Sequence, residues 1–211
     1  MSTLSEFVIQ LKSGIQKGLP GIKAQKLMAP IIDLDERFMQ HLAAKARPGA
    51  VLILFYGDHR QICFPLIQRP VYNGTHSGQI SLPGGKMDPG DPDLIFTALR
   101  ETEEEIGVPA KQIEVIAELT PLYIPVSNFL IHPVVGVMHQ EPVFQKDPYE
   151  VHQIIISNTE ELLSGNNIRN VLVAASSGKQ IEAPCFDIQG HIVWGATAMI
   201  LSELVQLLKS N

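Results

Sequence analysis

Apolar residues at Leu4, Phe7, Val8, Leu11 and Ile15 recur at helical spacing near the start of the chain, and Thr3 with Glu6 has the spacing of a capping box. Gly18, Pro20 and Gly21 interrupt this helix. A second amphipathic stretch, with Leu34, Phe38, His41 and Leu42, runs up to Arg47-Pro48-Gly49, which reads as a turn. The two short helices are expected to lie as a flap on the rest, dividing the chain into an N-terminal helical extension, 1–48, and a main domain, 49–211. From Ala50 the period changes. Val51 to Tyr56 is a continuous apolar run of the kind buried on both faces of a sheet. Gly57-Asp58 turns into Gln61 to Ile67, where Pro65 signals an edge or a bulge. Further strands are expected at 114–119, 129–138, 151–157, 171–175 and 180–186, with Gln189-Gly190 as a hairpin turn into His191 to Trp194. Met199, Leu201, Leu204, Val205 and Leu208 line one face of a closing helix. Strands mixed with a few helices imply a layered α/β domain.

Composition narrows the class without changing that architecture. Of the 211 residues, 45% are hydrophobic and 18% charged, which excludes a disordered polyelectrolyte. Lys and Arg number 16 against 22 Asp and Glu, a net charge of −6, so a basic grip on nucleic acid is not expected. Two cysteines, Cys63 and Cys185, suit a reducing interior rather than a disulfide scaffold. No apolar run approaches the roughly 18 residues of a membrane span, and the N-terminus lacks the apolar stretch of a signal peptide. The expectation is a soluble, cytoplasmic protein with no membrane partner.

The segment from Ser81 to Gly107 concentrates the chemistry. Its helix is well signalled, with Asp91 as N-cap, Pro92 in the first helical position and Gly107 as the stop. Ala98, Thr102, Ile106, Ile95 and Leu99 share one face, expected against a sheet. Glu101, Glu104 and Glu105 share an adjoining arc, since positions three and four apart are helix neighbours, while Glu103 points elsewhere. Such an arc is usually a solvated face. Beside a buried face, though, the mutual repulsion of three carboxylates grows, and a hard divalent cation would relieve it. Oxygen ligands without a His or Cys pair favour Mg²⁺ or Mn²⁺ over Zn²⁺, and Mg²⁺ commonly completes its shell with substrate phosphates. Pro83-Gly84-Gly85, just upstream, lets backbone approach a ligand closely.

This stretch resembles the Nudix hydrolase box, G-x5-E-x7-R-E-U-x-E-E-x-G-U with U aliphatic. Arg100-Glu101, Glu104-Glu105, Gly107 and Val108 match. Thr102 stands where an aliphatic residue is usual, and the interval from Gly85 to Arg100 is one residue longer than the pattern, with Asp91 in the loop Glu's place. The resemblance implies a Nudix-type α/β/α sandwich with a mixed sheet. Upstream, Arg69 to Gly85 is similar to the motif of coenzyme A diphosphatases within the family. Arg69, Gly78 and Pro83-Gly84-Gly85 match, while Ile67, Pro70, Gly74 and Leu82 depart from it; Trp194 to Ala198 also resembles that subfamily.

The resemblance implies hydrolysis of a diphosphate bond in a nucleoside diphosphate derivative, foremost coenzyme A to 4′-phosphopantetheine and adenosine 3′,5′-bisphosphate. ADP-ribose, dinucleotides and nucleoside triphosphates are alternative substrates. A non-catalytic nucleotide sensor is the alternative of another class, and the three box acids argue against it. Glu101, Glu104 and Glu105, with the Gly84 carbonyl, would hold Mg²⁺ or Mn²⁺. Glu101 is the first choice of base and Glu150 the second, with Glu104 in the same centre and Arg100 in support. On the substrate side stand Arg69, His76, Gly78 and Gly85. The alternative readings are local pairing for Arg69, a hydrogen bond within its own loop for His76, and an ordinary strand-start acid for Glu150. A small nucleotide is the expected partner, nucleic acid is not, and a homodimer is left open.

Overall fold

The computed structural model describes residues 3–30, 45–57, 61–71, 77–174 and 180–209. The stretch with Leu34, Phe38, His41 and Leu42, and His76, lie outside the described residues. Helix α1, Leu4–Lys17, starts at the expected capping box: the Glu6 N–H donates to Thr3 Oγ1 at 3.2 Å and the Thr3 N–H to Glu6 Oε2 at 2.7 Å. A short helix, α2, covers Gly21–Lys26. Strand β1, Arg47–Gly57, then forms the spine of the sheet.

Arg47, Pro48 and Gly49 are therefore not a turn. They are the first rungs of β1, which pairs in parallel with β7, Phe129–Val137, from Arg47↔Phe129 to Phe55↔Val137. The other edge of β1 is shared. Its first part pairs antiparallel with β4, Gly84–Lys86, and its end with β2, Ile62–Gln68. Between them the Leu52 N–H donates to the Pro83 carbonyl at 2.8 Å. β2 continues the sheet through β3, Ile80–Ser81, and β8, Gln153–Asn158; β5, Glu114–Glu118, and β6, Leu122–Ile124, pair with β7. Pro65 pairs with Ile156 on β8, on a stretch of β2 between its rungs to β1 and those to β3, so its missing donor breaks neither ladder.

Helix α3, Leu94–Ile106, covers one face of this mixed sheet, and α1, α2 and the C-terminal helix α5, Gly195–Lys209, cover the other. The unbroken apolar run of β1 serves both layers: Leu52, Leu54 and Tyr56 pack with Ala98 and Ile106 of α3, Ile53 and Phe55 with α1 and α5. Phe7 of α1 meets Phe55 edge-to-face at 4.8 Å. The N-terminal helices are thus built into the domain core. Fully buried Glu203 of α5 fastens them, accepting from Gln25 Nε2 at 2.9 Å, the Gly21 N–H at 3.2 Å and Thr120 Oγ1 at 2.6 Å. A short helix α4, Thr159–Ser164, leads to a second sheet of β9, Ile168–Ala174, β10, Gln180–Ile188, and β11, His191–Trp194. Gln189 and Gly190 both have positive φ, 53° and 84°, as the tight hairpin turn requires. Among the described residues no helix is long and apolar enough to cross a membrane.

Candidate active site

Helix α3 lies across β1 and β4 with Thr97, Ala98, Thr102, Glu105 and Ile106 buried. Ile95 and Leu99, expected on this face, are only partly buried. Thr102 fits because its hydroxyl donates to the Ala98 carbonyl at 2.7 Å, leaving the methyl to pack. The helix begins later than its sequence suggests. Its N-cap is Asp93, whose Oδ1 accepts the Phe96 N–H at 2.7 Å, so Pro92 precedes the cap. Asp91 is occupied otherwise. Its carboxylate takes Arg100 in a two-point grip, Nε to Oδ1 and Nη2 to Oδ2, both at 3.0 Å, and accepts from Thr97 Oγ1 at 2.9 Å. The Arg100 guanidinium holds the Asp91 carboxyl well below the usual range, and Asp91 in turn holds Arg100 more firmly protonated. The extra residue before Arg100 is absorbed in this loop, and the helix keeps its phase.

The three acids of the arc have three different environments. Glu105 is 2% exposed and accepts the Gly84 N–H at 2.8 Å. Burial pushes its carboxyl up to about 8; the Gly84 N–H and Arg69 pull it down, while Glu101 and Glu150 push the same way as burial. Glu101 presses against the glycine pair: a Cβ on Gly85 would fall 2.4 Å from Glu101 Oε2. Burial raises its carboxyl, opposed by Arg100, whose Nη2 lies 2.9 Å from Oε1. Glu104 has a side chain 55% exposed and turns to Arg100 Nη1 at 2.8 Å. Among the described residues no group of three or more His, Cys, Asp or Glu is already assembled around a cation position. Arg100 pairs with Glu101 and Glu104 and neutralises part of their mutual repulsion.

The donor set nonetheless suits a hard divalent cation. Glu105 is a buried carboxylate with no ion-pair partner within 4.0 Å among the described residues, the donors are all oxygen, and Glu104 is an exposed side chain on the same arc. Gly84 meets Glu105 through its N–H, a contact the sequence did not suggest.

The surrounding residues gather at one end of the sheet, where β2 ends and β3 and β8 begin. Arg69 follows β2, with its N–H on the Gln79 carbonyl at 3.0 Å, and Gly78 closes that loop by donating to the Pro70 carbonyl at 3.1 Å. Glu150 is not on a strand, since β8 begins at Gln153. It sits in a turn tied to the end of α3, where the Gln145 N–H donates to the Ile106 carbonyl and the Asp147 N–H to the Glu105 carbonyl, both at 2.9 Å. Arg69 and Glu150 are both near enough to Glu105 to move its titration. Asp91, read from the sequence as the helix cap in the loop Glu's place, was not expected to grip Arg100. Of the 145–151 turn only Glu150 was expected at the site, and nothing in the sequence signalled the turn's hydrogen bonds to the end of α3.

A mixed sheet between helices, with an acid-bearing helix laid beside a Pro-Gly-Gly strand start, defines an α/β/α sandwich domain. The chain belongs to the Nudix family: the NUDIX domain model matches residues 46–169. It is 34% identical to the uncharacterised Nudix hydrolase NudL of Photorhabdus laumondii over 69% of this chain and 79% of that protein. To the chloroplastic Nudix hydrolase 22 of Arabidopsis thaliana it is 33% identical over 93% of this chain, which spans only 63% of that longer protein. The MutT protein of Methanosarcina mazei shares the fold, with a TM-score of 0.51 and 16% identity over 78% of this chain and 96% of that one.

Proposed function

We propose that this Nudix hydrolase cleaves the diphosphate bond of a nucleoside diphosphate derivative, with coenzyme A as the foremost substrate. The observation that supports the chemistry best is the seating of Glu101 on Gly85 and of Glu105 on the Gly84 N–H. Glu101, Glu104, Glu105 and the Gly84 carbonyl would hold a Mg²⁺ or Mn²⁺ ion, which would neutralise charge on the diphosphate and lower the pKa of a bound water. Glu101 accepts the proton of the attacking water. Glu150 is the second choice for that proton. Arg100 steers Glu101 and Glu104 and donates no proton, since a guanidinium does not release one. Arg69, at the end of β2, takes a substrate phosphate by charge-assisted hydrogen bonds.

Coenzyme A is favoured by Arg69, Gly78 and the Pro83-Gly84-Gly85 start of β4, the residues that match the coenzyme A diphosphatase motif. The test is a panel of coenzyme A, ADP-ribose, a dinucleoside polyphosphate and nucleoside triphosphates with Mg²⁺ or Mn²⁺, products identified by mass. Coenzyme A should have the highest kcat/KM, and Arg69→Ala should lower it by roughly ten- to a hundredfold. Much faster turnover of ADP-ribose or a triphosphate would overturn the coenzyme A assignment and leave the hydrolase reading in place.

A further inference from the structure

Where β1 meets β4 its side chains leave on two faces. Ala50 faces α3 and its acids. Arg47, Gly49 and Val51, one position out of phase, face the other way. On that side a Cβ on Gly49 would fall 3.1 Å from Ile131 Cδ1 and 3.3 Å from Phe129 Cδ1, so both side chains of β7 lean over the glycine. Val51, Phe129 and Ile131 are only partly buried there. The Arg47 guanidinium lies over the Phe129 ring, 4.3 Å from its centroid, and Nη2 donates to the Ser127 carbonyl at 2.6 Å. Lys86 of β4 pairs with Gly49 and therefore rises from the same face. The patch adjoins the acids through Gly85. That glycine touches Glu101 on one side, and its carbonyl oxygen lies 2.7 Å from the position of a Gly49 Cβ on the other.

Arg47 is thus held by a π face and a neutral carbonyl. Among the described residues no carboxylate comes within 4.0 Å of Arg47 or Lys86, although the chain carries a net charge of −6. A guanidinium offers five N–H donors in a rigid fork that matches phosphate oxygens. One donor is spent on Ser127, Arg47 is exposed, and stacking on Phe129 fixes the plane of the rest. The group that fits is an anion with several free oxygens. The diphosphate belongs to the opposite face, where the acids of α3 stand, so the anion here is a different one. We propose that Arg47, with Lys86 beside it, binds a phosphomonoester that the substrate carries apart from its diphosphate, which in coenzyme A is the 3′-phosphate. This deepens the nucleoside diphosphate reading given above and rests on it: Arg47 sets specificity and takes no part in the hydrolysis.

The test is titration calorimetry with Mg²⁺, comparing adenosine 3′,5′-bisphosphate with AMP, which differ only in the 3′-phosphate. Kinetics with coenzyme A and 3′-dephospho-coenzyme A accompany it. The wild type should bind the bisphosphate about tenfold or more tightly than AMP. Arg47→Ala should abolish that preference and Lys86→Gln should reduce it, with the Kd of AMP within about twofold of wild type. For coenzyme A, Arg47→Ala should raise KM by about tenfold with kcat within about twofold, and 3′-dephospho-coenzyme A should be unaffected. Lys111→Gln, which removes an exposed charge elsewhere, should match wild type throughout. Equal Kd values for the two ligands in the wild type overturn the proposal, as does an undiminished preference in Arg47→Ala. An equal loss of both ligands in Arg47→Ala also overturns it, because the 3′-phosphate is then not what Arg47 recognises. Binding needs no turnover, so a wild type that keeps the Kd difference but hydrolyses no nucleotide overturns the hydrolase reading alone.

Discussion

Gly84 and Gly85 are neighbours with different reasons for lacking a side chain. Gly84 has φ 145°, and a Cβ there would lie 2.3 Å from the Ala50 carbonyl oxygen and 2.5 Å from Val51 Cα, both backbone atoms of the spine strand. At Gly85 the obstruction is the mobile end of Glu101. Gly84→Ala should therefore cost the fold about 3 kcal/mol or more, read from denaturant midpoints. Gly85→Ala should leave the melting temperature within a few degrees but displace Glu101, lowering kcat by roughly ten- to a hundredfold. Glu105→Gln and Glu104→Gln should each lower kcat by about a hundredfold or more, because each removes a ligand charge while the apolar packing face of α3 stays intact. Near-wild-type turnover in both would sink the proposed cation site. The need for glycine was legible in Pro83-Gly84-Gly85; which glycine meets β1 and which meets Glu101 was not, since both contacts are made by residues distant in the chain.

At the scale of one element, α3 shows where local signals suffice. Its apolar period placed Ala98 and Ile106 inside and Glu103 outside, as observed. Its start was misread, because Asp91 and Asp93 are equally good caps on local grounds and only the Arg100 contact removes Asp91 from the choice. Ala98→Glu should unfold or aggregate the protein, since it puts an unpaired charge where nothing is exposed. Glu103→Ala should cost only about 0.5–1 kcal/mol, the worth of its acceptor role toward the Ala110 N–H at 2.9 Å. Equal melting temperatures for the two variants would refute the helix phase.

For the whole molecule the buried Glu105 couples stability to pH. Its ordinary value of 4.5 rises to about 8 in the folded, cation-free protein, so the native state holds the proton more tightly than the unfolded chain. This contribution is fully present below about 4.5 and is lost as pH rises through about 8. In EDTA, the wild type should lose stability relative to Glu105→Gln between those limits, by up to about 1.4 kcal/mol per pH unit. Mg²⁺ should raise the wild-type melting temperature more at pH 8.5 than at pH 6, because a cation competes with the proton for the carboxylate. A flat difference between wild type and Glu105→Gln across that range would show that Glu105 is not buried as described.

The sequence alone determined the helix and strand periods, the doubly buried spine strand and the contiguous box from Gly85 to Val108, because each depends on residues within a few positions of one another. It also brought the family into view, since Arg100, Glu101, Glu104, Glu105 and Gly107 lie within two helical turns. Only the tertiary structure decided that Glu105 is buried while Glu104 is open, that Asp91 grips Arg100, and that the turn carrying Glu150 hangs on the end of α3. It alone joined the N-terminal helices to the core, through a Gln25–Glu203 contact spanning 178 positions. The physical reason is the same in each case: burial, and with it the strength of a charge or a hydrogen bond, is set by what packs from far along the chain.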